Sequence, residues 1–279
     1  MYLIEDVGHD IYKVIHNFVA CSMLSAENPD SMLASGLLVI SQLARTATSK
    51  HQIERFIDSG VAALILPLLE HPCAGVRART CNLLGNLCRY SDALYPQILH
   101  LNMLGPLIKL CCDKDRATRK FACFAIGNAG FHSDALYHGL RPAVPLLVEL
   151  LHDEEDKTRA NAAGALGNLV RNSGYLVPAM VESGAIESLL DIVVSDIMSE
   201  DKKKTSSSQI ALFSLGNLAA HGLCVDKFQT LKIKDIILKI EENISDPTTL
   251  KYAHRVAAKL DGLSDRKSGI KEAQQTPMR

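Results

Sequence analysis

The 279-residue sequence contains no tryptophan, and its 7 Phe and 7 Tyr make aromatics only 5% of the chain. Platforms that stack single-stranded nucleic acid are built from aromatic rings, so that class of function has little to work with. An excess of charge is missing too. The 30 Lys and Arg against 31 Asp and Glu leave a formal net charge of −1, which sets up no long-range field toward DNA, RNA or anionic lipid. No apolar run approaches the ~18 residues of a membrane span. The first residues, MYLIEDVGHD, place acids where a signal peptide carries a basic segment. A cytoplasmic chain with neither nucleic-acid nor membrane partners is expected.

The 8 cysteines form no C-x-x-C pair and no zinc spacing, so reduced, mostly buried thiols are expected rather than a disulfide frame or a metal centre. Catalytic signatures are absent as well: no H-E-x-x-H, no G-x-S-x-G and no Walker lysine. No enzyme activity, cofactor or small-molecule substrate is expected from these residues.

What is present is repetition. A Gly-Asn pair recurs in RTCNLLGNLCRYSD (79–92), FACFAIGNAGFHSD (121–134), NAAGALGNLVRNSG (161–174) and IALFSLGNLAAHG (210–222). It sets Asn86, Asn128, Asn168 and Asn217 apart by 42, 40 and 49 residues. Weaker copies stand at GLLVISQLART (36–46), with Ser41-Gln42 in the slot, and at YAHRVAAKLDG (252–262). A period of about 40–47 residues marks a HEAT or armadillo array. Ahead of each pair lies an apolar helical segment such as GVAALILPLLEH (60–71), and ahead of that a short segment such as HQIERFIDSG (51–60). Three helices per unit, the short one first, favour armadillo over two-helix HEAT. Asp115, Asp156 and Asp246 are placed to cap the third helices.

The expected fold is all-α, a right-handed α-solenoid of about six armadillo/HEAT-like repeats. They fall at roughly 1–48, 49–91, 92–133, 134–174, 175–221 and 222–262. The charged, Ser-rich SDIMSEDKKKTSSS accounts for the 49-residue spacing as a mobile insertion at about 196–208. Residues 263–279 lack periodic apolar positions and are expected to be a disordered tail.

Counted from its Asn, each long helix has a buried stripe. Leu84, Ile126, Leu166 and Leu215 stand two before; Leu87, Ala129, Leu169 and Leu218 one after; Cys81, Cys123, Ala163 and Leu212 five before. The glycine before each Asn, costing about 1 kcal/mol in a helix interior, implies close approach of a neighbouring helix. The opposite face reads Arg79, Asn82, Asn86, Arg89, then Phe121, Phe124, Asn128, Phe131. It continues with Asn161, Gly164, Asn168, Arg171, and with Ile210, Phe213, Asn217, Ala220. A carboxamide offers two donors and an acceptor, so a row of Asn either holds the backbone of an extended partner or bonds to the neighbouring repeat. The two readings are compatible, and this strip is the candidate partner groove. The strongest basic cluster, Lys109, Lys114, Arg116, Arg119 and Lys120, is partly cancelled by Asp113 and Asp115. It reads as a solvated turn or as a surface for an acidic partner.

These stretches resemble armadillo proteins such as importin-alpha and beta-catenin. The importin-alpha pattern, however, has a Trp four before the Asn, where this chain has Asn82, Phe124, Gly164 and Phe213. RKFACFAIGNAGFHSDALY (119–137) and EEDKTRANAAGALGNLVRNSG (154–174) are more specifically similar to the C-terminal armadillo region of Fused-type serine/threonine kinases, over about residues 50–220. The resemblance implies a non-catalytic scaffold engaging kinesin-like, axonemal or signalling proteins. The places it implies are the ciliary or flagellar central apparatus, Hedgehog-type signalling and plant cell division. The chain has no Gly-rich ATP loop, VAIK lysine, HRD or DFG, so catalysis does not carry over. Two alternatives stay open: a structural component of the axoneme acting through convex or end surfaces, and a cis-regulatory domain of a kinase outside this chain.

Overall fold

The structure is a computed structural model that describes the backbone of residues 14, 17–21, 29–197 and 206–275, with side chains through Gly262. The chain divides into two compact units, Met1–Leu146 and Leu147–Arg279. Unit 1 holds α1 (Pro29–Thr46), α2 (Lys50–Asp58), α3 (Val61–Leu69), α4 (Ala74–Leu87), α5 (Tyr95–His100), α6 (Leu104–Lys109), α7 (Arg116–Ala129) and α8 (Tyr137–Leu140). The division falls within α9 (Ala143–Glu149). Unit 2 holds α10 (Asp156–Asn168), α11 (Val177–Glu182), α12 (Ala185–Ile197), α13 (Ser206–Leu218), α14 (Val225–Thr230), α15 (Ile233–Asn243) and α16 (Pro247–Gln275). Among the described residues there is no strand, and no single helix is long and apolar enough to cross a membrane.

In four repeats the corner between the short and the second helix turns on one left-handed residue, whereas the α8–α9 corner passes through a right-handed Arg141 (φ −51°). The left-handed residue is Gly60 (φ 83°), Asn102 (52°), Gly184 (73°) or Lys232 (50°). Glycine takes this region without a Cβ clash, asparagine tolerates it, and lysine is strained there. The corner into the third helix is built on carboxylates. Asp113 Oδ1 accepts from the Asp115 N–H at 2.8 Å, and Asp115 caps α7 by accepting from the Thr118 N–H at 2.7 Å. Asp246 does the same for α16 through the Thr249 N–H at 2.9 Å, with Pro247 opening the helix.

Asp156 corrects an expectation. Glu155 takes the cap position of α10 and Asp156 is its first helical residue. The Asp156 carboxylate accepts instead from Ser206 (2.7 Å) and Ser207 (2.6 Å) at the start of α13. Ser206–Ser208 thus form the first turn of a helix, with Ser207 and Ser208 buried, and are not part of a mobile insertion. Residues 198–205 of that expected insertion lie outside the described residues. The tail is corrected too: α16 runs through residue 263 to Gln275. Lys, Glu, Ala and Gln are adequate helix formers without an apolar stripe.

Three arginines recur nine residues before an Asn and clamp the carbonyls left open by the preceding turn. Arg77 Nη1 donates to His71 O (2.8 Å) and Pro72 O (2.7 Å). Arg119 Nη1 donates to Asp113 O (3.0 Å) and Lys114 O (3.2 Å), and Arg159 Nη1 to Asp153 O (3.0 Å) and Glu154 O (3.3 Å). Arg77 also forks the Asp113 carboxylate at 2.8 and 3.0 Å. Burial pushes Asp113 up; hydrogen bonds from Arg77 and the Asp115 N–H, with the Arg77 and Arg119 charges, outweigh it and hold the carboxyl below its ordinary range.

The long helices pack side by side, α1 on α4 and α4 on α7 in unit 1, α10 on α13 and α13 on α16 in unit 2. The stripe expected from sequence is the core: Leu84, Leu87, Ile126 and Ala129 in unit 1, and Leu166, Leu169, Leu215 and Leu218 in unit 2, are all buried. Cys81 and Cys123 fill equivalent buried slots. Desolvation raises the thiol of Cys81 far above its ordinary value and that of Cys88 to about 12, which leaves them as apolar packing groups.

Candidate partner-binding face

In two places the Gly of one pair and the Asn of the next serve a single contact. Asn128 Nδ2 on α7 donates to Gly85 O on α4 at 2.9 Å, and Asn217 Nδ2 on α13 donates to Gly167 O on α10 at 2.9 Å. Asn86 Nδ2 donates to Ser41 O (3.0 Å) and Ser41 Oγ (2.9 Å) on α1, at the slot that Gly fills elsewhere. Such bonds need backbone close to backbone. A Cβ on Gly85 would lie 2.5 and 2.6 Å from the Phe124 ring and 3.1 Å from Ala125 Cα. On Gly167 it would meet Ser214 at 2.9 Å (Cβ) and 3.0 Å (Cα). Glycine opens the gap, and the carboxamide of the next helix bridges it.

Of the two sequence readings, the stacking role is what these three amide nitrogens display. Asn86 and Asn217 are only 3% and 7% exposed, so the expectation that their donors face a partner is corrected. A buried carboxamide must bond internally, and the nearest open lone pair is that carbonyl. Asn217 is spent on both sides: its Oδ1 accepts from Arg255 Nη2 on α16 at 2.6 Å. The same guanidinium lies 4.9 Å over the Phe213 ring, which Tyr252 meets edge-on at 5.7 Å. The last helix therefore covers the Phe213–Asn217 pair.

The other candidates stay within reach of solvent. In unit 1, Arg79 and Asn82 on α4 and Phe124 and Asn128 on α7 are half-buried, as is Phe131 just beyond α7, while Arg89 is exposed. In unit 2, Asn161 and Asn168 on α10 are half-buried and Arg171 is exposed. Asn82 meets Asn86 only through a 3.5 Å contact at its Oδ1. Asn128 Oδ1 has no hydrogen-bond donor among the described residues.

Sequence reasoning missed the arginine clamps, Arg255, and a histidine four residues after the Asn. His132 Nε2 lies 3.1 Å from Arg89 O, and His221 Nε2 lies 2.7 Å from Val170 O. The signal was available in register: Arg at nine before, His at four after, and Arg255 at the same slot as Phe124 and Phe213.

The HEAT repeats family matches residues 61–167. A designed armadillo repeat protein, solved in complex with the peptide (KR)4, superposes with a TM-score of 0.75 over 89% of this chain and 99% of its own, at 19% identity. The chain has the armadillo/HEAT repeat fold. Within that fold, its sequence is similar to Serine/threonine-protein kinase TIO of Arabidopsis thaliana, at 36% identity over 253 residues and 87% of the chain. It is also similar to Serine/threonine-protein kinase 36 of Pongo abelii, at 35% over 165 residues and 56% of the chain. These are Fused-type kinases, as the armadillo motifs imply. The chain spans only 19% and 12% of their lengths.

Proposed function

We propose that this armadillo chain is a protein–protein recognition scaffold that grips an extended or helical partner segment along the groove faces of its third helices. The observation that carries the reading is in unit 1. There Arg79, Asn82, Phe124 and Asn128 stay partly exposed, although the residues flanking them in α4 and α7 are buried. Rings and donors held half-open on rigid helices suit a strand of partner chain. The designed relative's bound peptide supports the choice of occupant class. From the likeness to Fused-type kinases we extend the proposal to kinesin-like, axonemal or signalling partners and to action at the cilium or flagellum. A second reading is cis-regulation of a kinase, favoured by the match being a fraction of two proteins named as kinases.

Asn86→Ala and Asn128→Ala are poor probes of this groove, because both amides hold the stack. Phe124→Ala with Phe131→Ala is the better test, read by affinity capture and proximity labelling in ciliated cells. Loss of captured proteins with unchanged helicity is expected, and central-apparatus proteins or kinesins among the losses support the wider proposal. Undiminished capture by the double variant removes the groove.

A further inference from the structure

We propose that the α4–α7 face of unit 1 selects an acidic partner segment bearing an aromatic or aliphatic side chain. This deepens the groove reading above and rests on it. Neither α4 (AGVRARTCNLLGNL) nor α7 (RATRKFACFAIGNA) contains an Asp or Glu. Every charge on this strip is positive: Arg79 and Arg89 flank Asn86, and Lys120 lies with its ammonium 5.2 Å over the Phe121 ring. The carboxylates that adjoin the two helices in sequence lie in the turns outside them, Glu70, Asp113 and Asp115 before the helices and Asp92 and Asp134 after them. Asp113 and Asp115 are already engaged by Arg77 and by backbone N–H groups.

The two arginines lack what arginines usually have. Arg77 and Arg119, on the far side of the same helices, are tied to carbonyls and, for Arg77, to a carboxylate. Arg79 is half-buried yet makes no hydrogen bond or ion pair among the described residues, and the Arg89 guanidinium has only the Tyr90 ring, 5.2 Å away. A guanidinium that stays open to water and has no anion is available to a partner's carboxylate through a bidentate charge-assisted bond. Asn82 Nδ2 adds a donor between them. Phe124, partly exposed and lying against Gly85, supplies the apolar seat.

Unit 2 does not offer the same chemistry. There Arg255 already occupies the Phe213 ring and Asn217 Oδ1. That closure shows that a Phe and an Asn one turn apart receive a guanidinium, so a basic peptide is the natural rival occupant. On the strip that carries Phe124, the positive charges of Arg79, Arg89 and Lys120 disfavour it.

The test titrates the whole chain with two labelled peptides by fluorescence anisotropy: a Glu/Asp-rich peptide containing one Phe, and the basic peptide (KR)4. The acidic peptide is expected to bind, to weaken several-fold between low and physiological salt, and to lose on the order of tenfold or more in the Arg79→Glu/Arg89→Glu variant. Arg116→Glu, at the exposed start of α7, is expected to leave affinity within about twofold, which separates local recognition from net charge. Arg79→Gln/Arg89→Gln repeats the test without charge reversal should the first variant fold poorly by circular dichroism. Absent binding, or binding indifferent to both arginine variants, overturns the acidic assignment. Binding of (KR)4 that is lost in Phe124→Ala overturns it while leaving the groove standing. If neither peptide responds to Phe124, Arg79 or Arg89, the groove falls with it. Tighter binding of a single-stranded oligonucleotide than of the acidic peptide also overturns it.

Discussion

Asn128 Nδ2 lies 2.9 Å from the carbonyl oxygen of Gly85, so a side chain of one third helix closes on the backbone of the helix before it. The bond repeats at Asn217 and Gly167, with the same length. Gly85 is buried. Losing the donor strips that carbonyl of one partner, at a cost of about 1–2 kcal/mol. Asn128→Ala is expected to lower the urea midpoint accordingly. Asn128→Asp should cost more, since it sets a carboxylate against a carbonyl. An Asn128→Ala midpoint equal to wild type removes the stacking role.

The glycines make a sharper contrast, because three equivalent slots have different surroundings. At Gly85 and Gly167 a methyl would strike the backbone of the next helix, so alanine is expected to cost about 1–3 kcal/mol through overpacking. At Gly216 the nearest atoms, on Arg255 and Val256, are 3.7 Å away. There alanine gains helix propensity without a clash, and Gly216→Ala should stabilise by about 0.5–1 kcal/mol. Thermal melts of the three variants decide it: a uniform response in either direction contradicts the close-approach account.

Lys232 occupies at φ 50° the corner that Gly60 and Gly184 occupy elsewhere. Lys232→Gly is expected to stabilise by about 0.5–1 kcal/mol, the strain relieved less the added freedom of the unfolded chain. A lower melting temperature would mean that the lysine side chain contributes more than its backbone costs.

Periodicity made the array and its buried stripe legible, because a recurring Gly-Asn at fixed offsets from Leu84, Ile126, Leu166 and Leu215 fixes helix phase. The face opposite the stripe was legible as a face but not as a set of partners. Whether an amide points into a groove or onto the helix behind it depends on interhelix distance, which the spacing of Asn86 and Asn217 does not carry. Asp156 was misread for a related reason. Its position before a helix looks like a cap, while its actual donors, Ser206 and Ser207, are fifty residues on. Arg255 escaped although its repeat was aligned, because register places it in the Phe124 and Phe213 slot without revealing that its guanidinium folds back onto the preceding helix.

Arg77 and Asp113 give the pH response. The Asp113 carboxyl is held below its unfolded value of ~3.9 despite burial, so the folded state favours its ionised form. The contribution is therefore complete above the unfolded pKa and disappears as pH falls through the folded one. Asp113→Asn should destabilise by about 1–3 kcal/mol at neutral pH, with Arg77 left facing a neutral amide. The gap to wild type should close as pH drops below ~4. Melting curves of both proteins across that range test it, and a gap independent of pH would deny the ionic character of the pair.

Asp156 separates two accounts of one residue. A cap protects the helix it opens; the structure instead has Asp156 open α10 while its oxygens receive the Ser206 and Ser207 hydroxyls of α13. Those serine bonds, together with the Arg159 charge, overcome burial and hold its carboxyl below the ordinary range. Asp196 also accepts from Ser207, at 3.2 Å, so the first turn of α13 is tied to the last turn of α12 and to α10 at once. Asp156→Ala is expected to raise amide hydrogen exchange at the start of α13 by about fivefold or more, equivalent to about 1 kcal/mol of local stability. The start of α10, where Thr158 Oγ1 bonds Glu155 at 3.2 Å, should keep its protection. Asp115→Ala is the control, since Asp115 does cap its own helix, and there the loss should fall on α7 itself. Exchange that rises in α10 and not in α13 on loss of Asp156 would restore the capping account and sever the serine anchor.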